Sequence, residues 1–374
     1  MIILFLRLCC ATLSAQLSPN LILQYDSRNG FRYGASADYI AAGANTGIYA
    51  EVSLFSKGSR YYDLSVTRIL NKKGLSLNIE ASYLKERGVE FYGFNGYDAD
   101  AVAIYEPDFY KIDRATLYTG ITLRGHIVRY LRWGLGATWH NYAIGDYGGK
   151  QELSRYRILI EEGVIPDYDA AGGKGLAFNG SLQWNNTPSD DFPTRGIMAG
   201  AKVVWSPSGV TTGNPYLGAD IRFTQYVPLF SENLVFAWRV LANGFLQDPS
   251  FYVLPYDNII SESSLRGILR NRIQGRSVAF ANTEIRYKAI DTAIGRTNIK
   301  LVLNAFCDGG RAIVPYSATT FRREGLHLSA GGGARLFLPG NAALSVEYGI
   351  PFDARDSYRG EGGGIIYIHT GYWF

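Results

Sequence analysis

The sequence points to an all-β chain: one antiparallel transmembrane β-barrel of about sixteen strands. Three observations carry this reading. Apolar and polar residues alternate with period two from Gln16 onward, long and short connections alternate, and the last strand closes on an aromatic residue. Composition agrees. The 374 residues include 43 Gly and 27 Tyr, with 47 % hydrophobic, 14 % aromatic and 19 % charged. No apolar run of ~18 residues exists beyond the N-terminus, which excludes a polytopic helical membrane protein. The apolar and aromatic content excludes a disordered chain. A net charge of +4 without a long Lys/Arg run argues against a nucleic-acid partner.

Residues 1–15 are apolar apart from Arg7 and read as a secretory signal peptide with a small-residue exit at Ser14 and Ala15. A buried N-terminal strand is the alternative. Cys9 and Cys10 fall inside this segment, and Leu6-Arg7-Leu8-Cys9 is a poor lipid-attachment box. Removing the signal leaves Cys307 alone, so neither an intramolecular disulfide nor a zinc site staples the fold.

Residues 16–374 read as one barrel domain. Strands are expected over 20–27, 31–41, 46–56, 60–70, 74–84, 114–124, 130–144, 175–186, 196–206, 215–227, 232–246, 277–289, 297–309, 326–338, 342–351 and 364–374. Most reach the ~9–11 residues that a tilted strand needs to cross a bilayer. Alternation is clearest in 298–308. Ile299, Leu301, Leu303, Ala305 and Cys307 share one face, and Lys300, Val302, Asn304, Phe306 and Asp308 share the other. Alternation alone fits a soluble sandwich equally well.

Connection lengths separate the two. The odd connections over 85–113, 145–174, 247–276 and 310–325 are long. The even ones at Ala42–Asn45, Asn71–Lys73, Pro228–Ser231 and Pro339–Asn341 are short. Long loops on one side and tight turns on the other describe an outer-membrane barrel whose ends both lie in the periplasm. In the last strand Ile366, Ile368, Thr370, Tyr372 and Phe374 share a face. With Gly371, the residues Ile368, Tyr372 and Phe374 form the kind of C-terminal signal that outer-membrane assembly machinery reads.

Five short motifs occur in order. They are Phe192-Pro193-Thr194-Arg195-Gly196 in a turn, Leu265-Arg266-Gly267-Ile268 in the long loop, and Asn282-Thr283-Glu284-Ile285-Arg286 in a strand. Phe306-Cys307-Asp308-Gly309-Gly310 and the closing pair Gly349-Ile350-Pro351-Phe352 and Gly371-Tyr372-Trp373-Phe374 complete the set. Together they resemble the BamA/TamA family of outer-membrane proteins, also called bacterial surface antigens.

The resemblance implies that the sixth outer loop enters the lumen, with Arg266 as its tip arginine and Glu284 and Asp308 as its acidic partners. A planar guanidinium forks to carboxylates, and Gly267 allows a tight turn at the wall. The other reading makes Arg266 a solvated loop residue. Family members that insert or translocate proteins carry periplasmic POTRA modules before the barrel. A first strand near Asn20 leaves no room for one, so a barrel-only member is expected.

No catalytic chemistry emerges. His126, His140, His327 and His369 are scattered without metal-site spacing, and no G-x-S-x-G elbow occurs. Tyr97, Asp98, Asp100, Glu106 and Asp108 read as a solvated acidic loop rather than a calcium site. Gly331–Gly333 and Gly362–Gly364 lie in or beside strands, not before a helix, so they read as packing or bending positions.

Neither an enzyme nor a cofactor or metal is expected. The expected partners are outer-membrane lipid, the assembly machinery that inserts the chain, and a separate periplasmic protein or lipoprotein. Two functions stand. One is insertion or transport of outer-membrane components through a seam between the first and sixteenth strands. The other is a passive or plugged pore lined by Lys300, Arg335, Arg286, Arg239, Arg222 and Glu284.

Overall fold

The computed structural model describes residues 10–12, 15–26, 30–41, 45–71, 74–93, 108–149, 154–188, 192–254, 265–269, 271–294, 297–313, 326–338, 342–357 and 362–369. Sixteen wall strands follow one another: β2 (Ala15–Asp26), β3 (Gly30–Ala41), β4 (Thr46–Phe55), β5 (Arg60–Ile69), β6 (Ser76–Glu90), β7 (Lys111–Val128), β8 (Leu131–Asp146) and β9 (Gly172–Asn185). Then come β10 (Gly196–Ser206), β11 (Tyr216–Leu229), β12 (Ser231–Phe245), β13 (Ser277–Ile294), β14 (Thr297–Ile313), β15 (His327–Leu338), β16 (Ala342–Pro351) and β17 (Ile365–His369). A short β1 (Cys10–Thr12), within the stretch read as a signal, folds back on Ala15–Leu17. Each wall strand pairs antiparallel with the next, from β2 through to β17.

Burial decides between sandwich and membrane barrel. In β16 the apolar Leu344, Val346, Tyr348 and Ile350 are exposed, whereas Ser345 and Glu347 are buried. In β14 Leu303 and Cys307 are exposed, whereas Asn304 and Asp308 are buried. A soluble sandwich does the reverse. An apolar exterior around a polar, charged interior is stable only where hydrocarbon surrounds the sheet. Aromatic pairs mark the belt's edges. Tyr62 stacks with Tyr83 near the long-loop end, and Tyr130 meets Trp184 at the short-turn end.

The ends carry more structure than the alternation indicates. β6 and β7 run on to Glu90 and from Lys111, because Phe91 and Ile112 are buried in an apolar cap above the sheet. The connection between β8 and β9, read as plain loop, holds α1 (Arg155–Glu161) and α2 (Asp167–Ala170). Ser154 starts α1 by accepting a hydrogen bond from the Arg157 amide at 3.2 Å, a side-chain N-cap. Tyr156 and Leu159 then face Phe91, Ile144, Ile165, Phe251 and Leu254 in the same cap cluster. At the opposite end, Phe192 turns inward to pack with Tyr226, Val235, Ala237, Val302 and Phe337.

Candidate functional site in the barrel lumen

Alternation sends Asn282, Glu284 and Arg286 of β13 inward, with Asn304, Phe306 and Asp308 of β14, Arg335 of β15 and Glu347 of β16. Register aligns them, because Asn282 faces Asp308, Glu284 faces Phe306, and Gly333 faces Glu347. The result is a charged band across four adjacent strands, halfway up the wall.

Arg266 reaches this band from the connection between β12 and β13, and only 1 % of it is exposed. Its Nε donates to Asp308 Oδ2 at 2.9 Å and its Nη2 to Asp308 Oδ1 at 2.9 Å, a two-pronged grip. The Arg266 amide donates to Asp308 Oδ2 at 3.0 Å. Nη1 donates to Glu284 Oε2 at 3.1 Å and to Glu347 Oε1 at 3.4 Å. The guanidinium carbon stands 3.6 Å from the Phe306 ring centroid, over its face.

The carboxylates are themselves held. Arg286 Nε donates to Glu284 Oε1 at 3.2 Å, and Arg335 Nη2 lies 2.7 Å from both Glu284 Oε1 and Glu347 Oε1. Asn304 Nδ2 donates to Glu347 Oε1 at 2.7 Å. Such a buried network costs desolvation but is severely destabilised by losing one member, so it fixes a single geometry.

The next residue needs to be glycine. Gly267 has φ 84°, and a Cβ there would stand 2.7 Å from the Gly349 carbonyl carbon of β16. Its amide donates to Tyr367 Oη of β17 at 2.9 Å. The loop tip therefore touches β14, β16 and the last described strand together. Gly331 serves the same site, because a Cβ there would lie 2.5 Å from Phe306 Cζ.

A second set of contacts holds the returning limb. The Leu269 amide donates to the Asp356 carbonyl at 3.0 Å, and Asn271 Nδ2 donates to the Glu90 carbonyl at 3.0 Å. Arg272 Nε lies 3.6 Å from Asp356 Oδ1, whose carboxylate also sits 2.9 Å from His327 Nδ1.

Residues 37–372 match the Omp85 superfamily domain. The chain belongs to the Omp85 superfamily. Among solved structures it is similar to BamA from Haemophilus ducreyi lacking POTRA domains 1-3, with TM-score 0.65 and 16 % identity, covering 98 % of this chain and 74 % of that one. It is also similar to CdiB from Escherichia coli, with TM-score 0.60 and 11 % identity, over 90 % of this chain and 59 % of that one. CdiB from Acinetobacter baumannii gives TM-score 0.52 and 12 % identity, over 96 % and 60 %. At these identities the likeness is one of fold, and this chain spans about three fifths of either CdiB. No curated protein matches it. This Omp85 chain is an outer-membrane β-barrel.

The remaining motif residues are placed as follows. Phe192 is buried in the short-turn cluster, Pro193 and Thr194 are half-buried, Arg195 is exposed, and Gly196 opens β10 with φ 111°. Ile368 is exposed on the lipid face, while Gly371, Tyr372 and Phe374 lie outside the described residues. Of the acidic loop only Asp108 is described, and it accepts from Lys111 Nζ at 2.8 Å. Glu347, Asn304 and Tyr367 join the luminal cluster without having been singled out from the sequence. The period of two sets Glu347 on the face opposite Val346 and Tyr348, but only register shows that it reaches Arg266. No group of His, Cys, Asp and Glu suited to a metal occurs among the described residues.

Proposed function

We propose that this Omp85 barrel aids insertion or transport of outer-membrane components through the seam between β2 and β17, with the sixth outer loop held at Arg266 as its control element. The observation that carries this reading is the bond from Gly267 to Tyr367, which ties the luminal cluster to the strand bordering the seam. An edge strand presents unpaired backbone groups to an incoming strand.

In this reading residues 1–15 are the export signal, residues 16–374 the barrel, and Ile368, Gly371, Tyr372 and Phe374 the assembly signal. A separate periplasmic protein or lipoprotein delivers clients, and no catalytic step is involved. Depletion tests the proposal. Other outer-membrane barrels should accumulate unassembled, and their normal assembly would refute it.

A second reading, a plugged pore, draws on the wall away from the cluster. There Arg222 and Lys202 face the lumen and are exposed. In planar bilayers the pore reading expects stable conductance that rises in Arg266→Ala. The assembly reading expects no stable open channel from the wild type.

A further inference from the structure

The outer end of the β5–β6 pair carries an arrangement that neither the luminal cluster nor the seam uses. On the lipid-facing side the direct cross-strand pairs, from the long-loop end inward, are Arg60 with Lys85, Tyr62 with Tyr83, Leu64 with Ala81, and Val66 with Ile79. The order therefore runs from cationic to aromatic to aliphatic over one strand pair. The aliphatic members Leu64 and Ile79 are exposed, as a hydrocarbon-facing wall requires. The two tyrosine rings stack, with centroids 6.0 Å apart and planes at 24°. The cationic pair stands about 7 Å further along the strands.

Two like charges directly opposite each other destabilise a sheet unless something answers them. Nothing among the described residues does so here. Neither Arg60 nor Lys85 has an ion pair or a side-chain hydrogen bond among the described residues. The nearby carboxylates Glu51 and Asp63 project to the opposite face, into the lumen, where Glu51 binds Arg32. Arg87, two residues further along β6, is engaged with Asp113 at 3.7 Å.

We propose that Arg60 and Lys85 form a binding site for the phosphate of an outer-leaflet lipid headgroup, with the Tyr62–Tyr83 pair beneath it as a platform at the boundary between headgroup and acyl chains. Position selects a lipid over a soluble anion. The cations top a lipid-facing stripe, just above an aromatic pair at the level where such girdles meet the interface. Arginine adds directed hydrogen bonding to phosphate oxygens, and lysine adds a point charge.

The test uses the full chain refolded in detergent micelles and titrated with a bis-phosphorylated disaccharide lipid. The readouts are thermal midpoint and co-eluting phosphorus. The phosphorylated lipid should raise the midpoint of the wild-type barrel, and its dephosphorylated counterpart should do so far less. The double variant Arg60→Gln/Lys85→Gln should bind about tenfold or more weakly while keeping the wild-type heat-modifiable mobility that reports a folded barrel. Arg68→Gln serves as control, because Arg68 lies on the same lipid-facing side of β5 at its inner end and should behave as wild type. Equal binding by the double variant, or equal stabilisation by the dephosphorylated lipid, would overturn the site. Equal stabilisation by inorganic phosphate alone would overturn the assignment to a lipid.

Discussion

Replacing Arg266 by alanine removes a guanidinium that grips Asp308 with two prongs and reaches Glu284 and Glu347 as well. Taking one partner from a buried ion pair costs ~3–5 kcal/mol, because the remaining charge stays desolvated and unanswered. Here Arg286 and Arg335 still neutralise Glu284 and Glu347, so the loss centres on Asp308. The lower end, about 3 kcal/mol, is expected. At ~1.4 kcal/mol per factor of ten, the undocked population of the loop rises by roughly two orders of magnitude. Arg266→Lys keeps the charge but loses the fork, so it should fall between wild type and alanine. Limited proteolysis in lipid vesicles reads the effect directly, with cuts mapped between Leu246 and Arg276. Cleavage should speed up in the order wild type, lysine, alanine. Equal rates in all three, with the barrel folded, would refute the idea that the arginine holds the loop.

Three further predictions follow from the same geometry. Gly349→Val should displace the tip without touching a charge, because Gly349 packs against Gly267 with no space for a Cβ, and loop cleavage should accelerate as it does in Arg266→Ala. Cys307 is exposed on the lipid face of β14, so a membrane-permeant thiol reagent should label it in intact membranes and a charged impermeant one should not; the reverse result would invert the assigned faces. Burial raises Asp169 in the outer cap above its ordinary carboxylate value, even though hydrogen bonds with Ser250 and the Phe251 backbone oppose the shift. The folded cap thus holds that proton more tightly than the unfolded chain does. Its stabilisation is fully present below the ordinary carboxylate range and declines as pH rises through the raised value. Cap protection against proteolysis should therefore weaken across that window in the wild type, and Asp169→Asn should flatten the trend.

The wall was legible because period-two alternation is local, and a membrane forces it on every strand. Strand positions in the sequence and in the structure agree closely from β3 to β16. They depart where tertiary packing extends a strand, as at Glu90 and Lys111, whose neighbours Phe91 and Ile112 enter the outer cap. α1 was missed because a short capped helix of about two turns lies inside a long connection. Ser154 followed by Tyr156, Leu159 and Ile160 was its only local sign.

The luminal site divides along the same line. Arg266, Gly267, Glu284 and Asp308 stand in motifs that can be read one segment at a time. Glu347 and Tyr367 matter only because register brings β16 and β17 beside β14 and the loop tip, and alternation within one strand does not encode register between strands. Phe306 was visible as part of a motif. Its place under the guanidinium depends on the space left by Gly331, one strand away.

The most direct test of the account places purified protein in lipid vesicles and follows the folding of a second outer-membrane barrel delivered by a periplasmic chaperone. The comparison pairs the wild type with a variant whose seam is closed by a disulfide between cysteines introduced into Ala15–Asp26 and Ile365–His369. The account predicts that the wild type speeds client folding over empty vesicles, and that closing the seam abolishes the gain until the disulfide is reduced. Client folding at the empty-vesicle rate with the open wild type, or an undiminished gain with the seam closed, would contradict it.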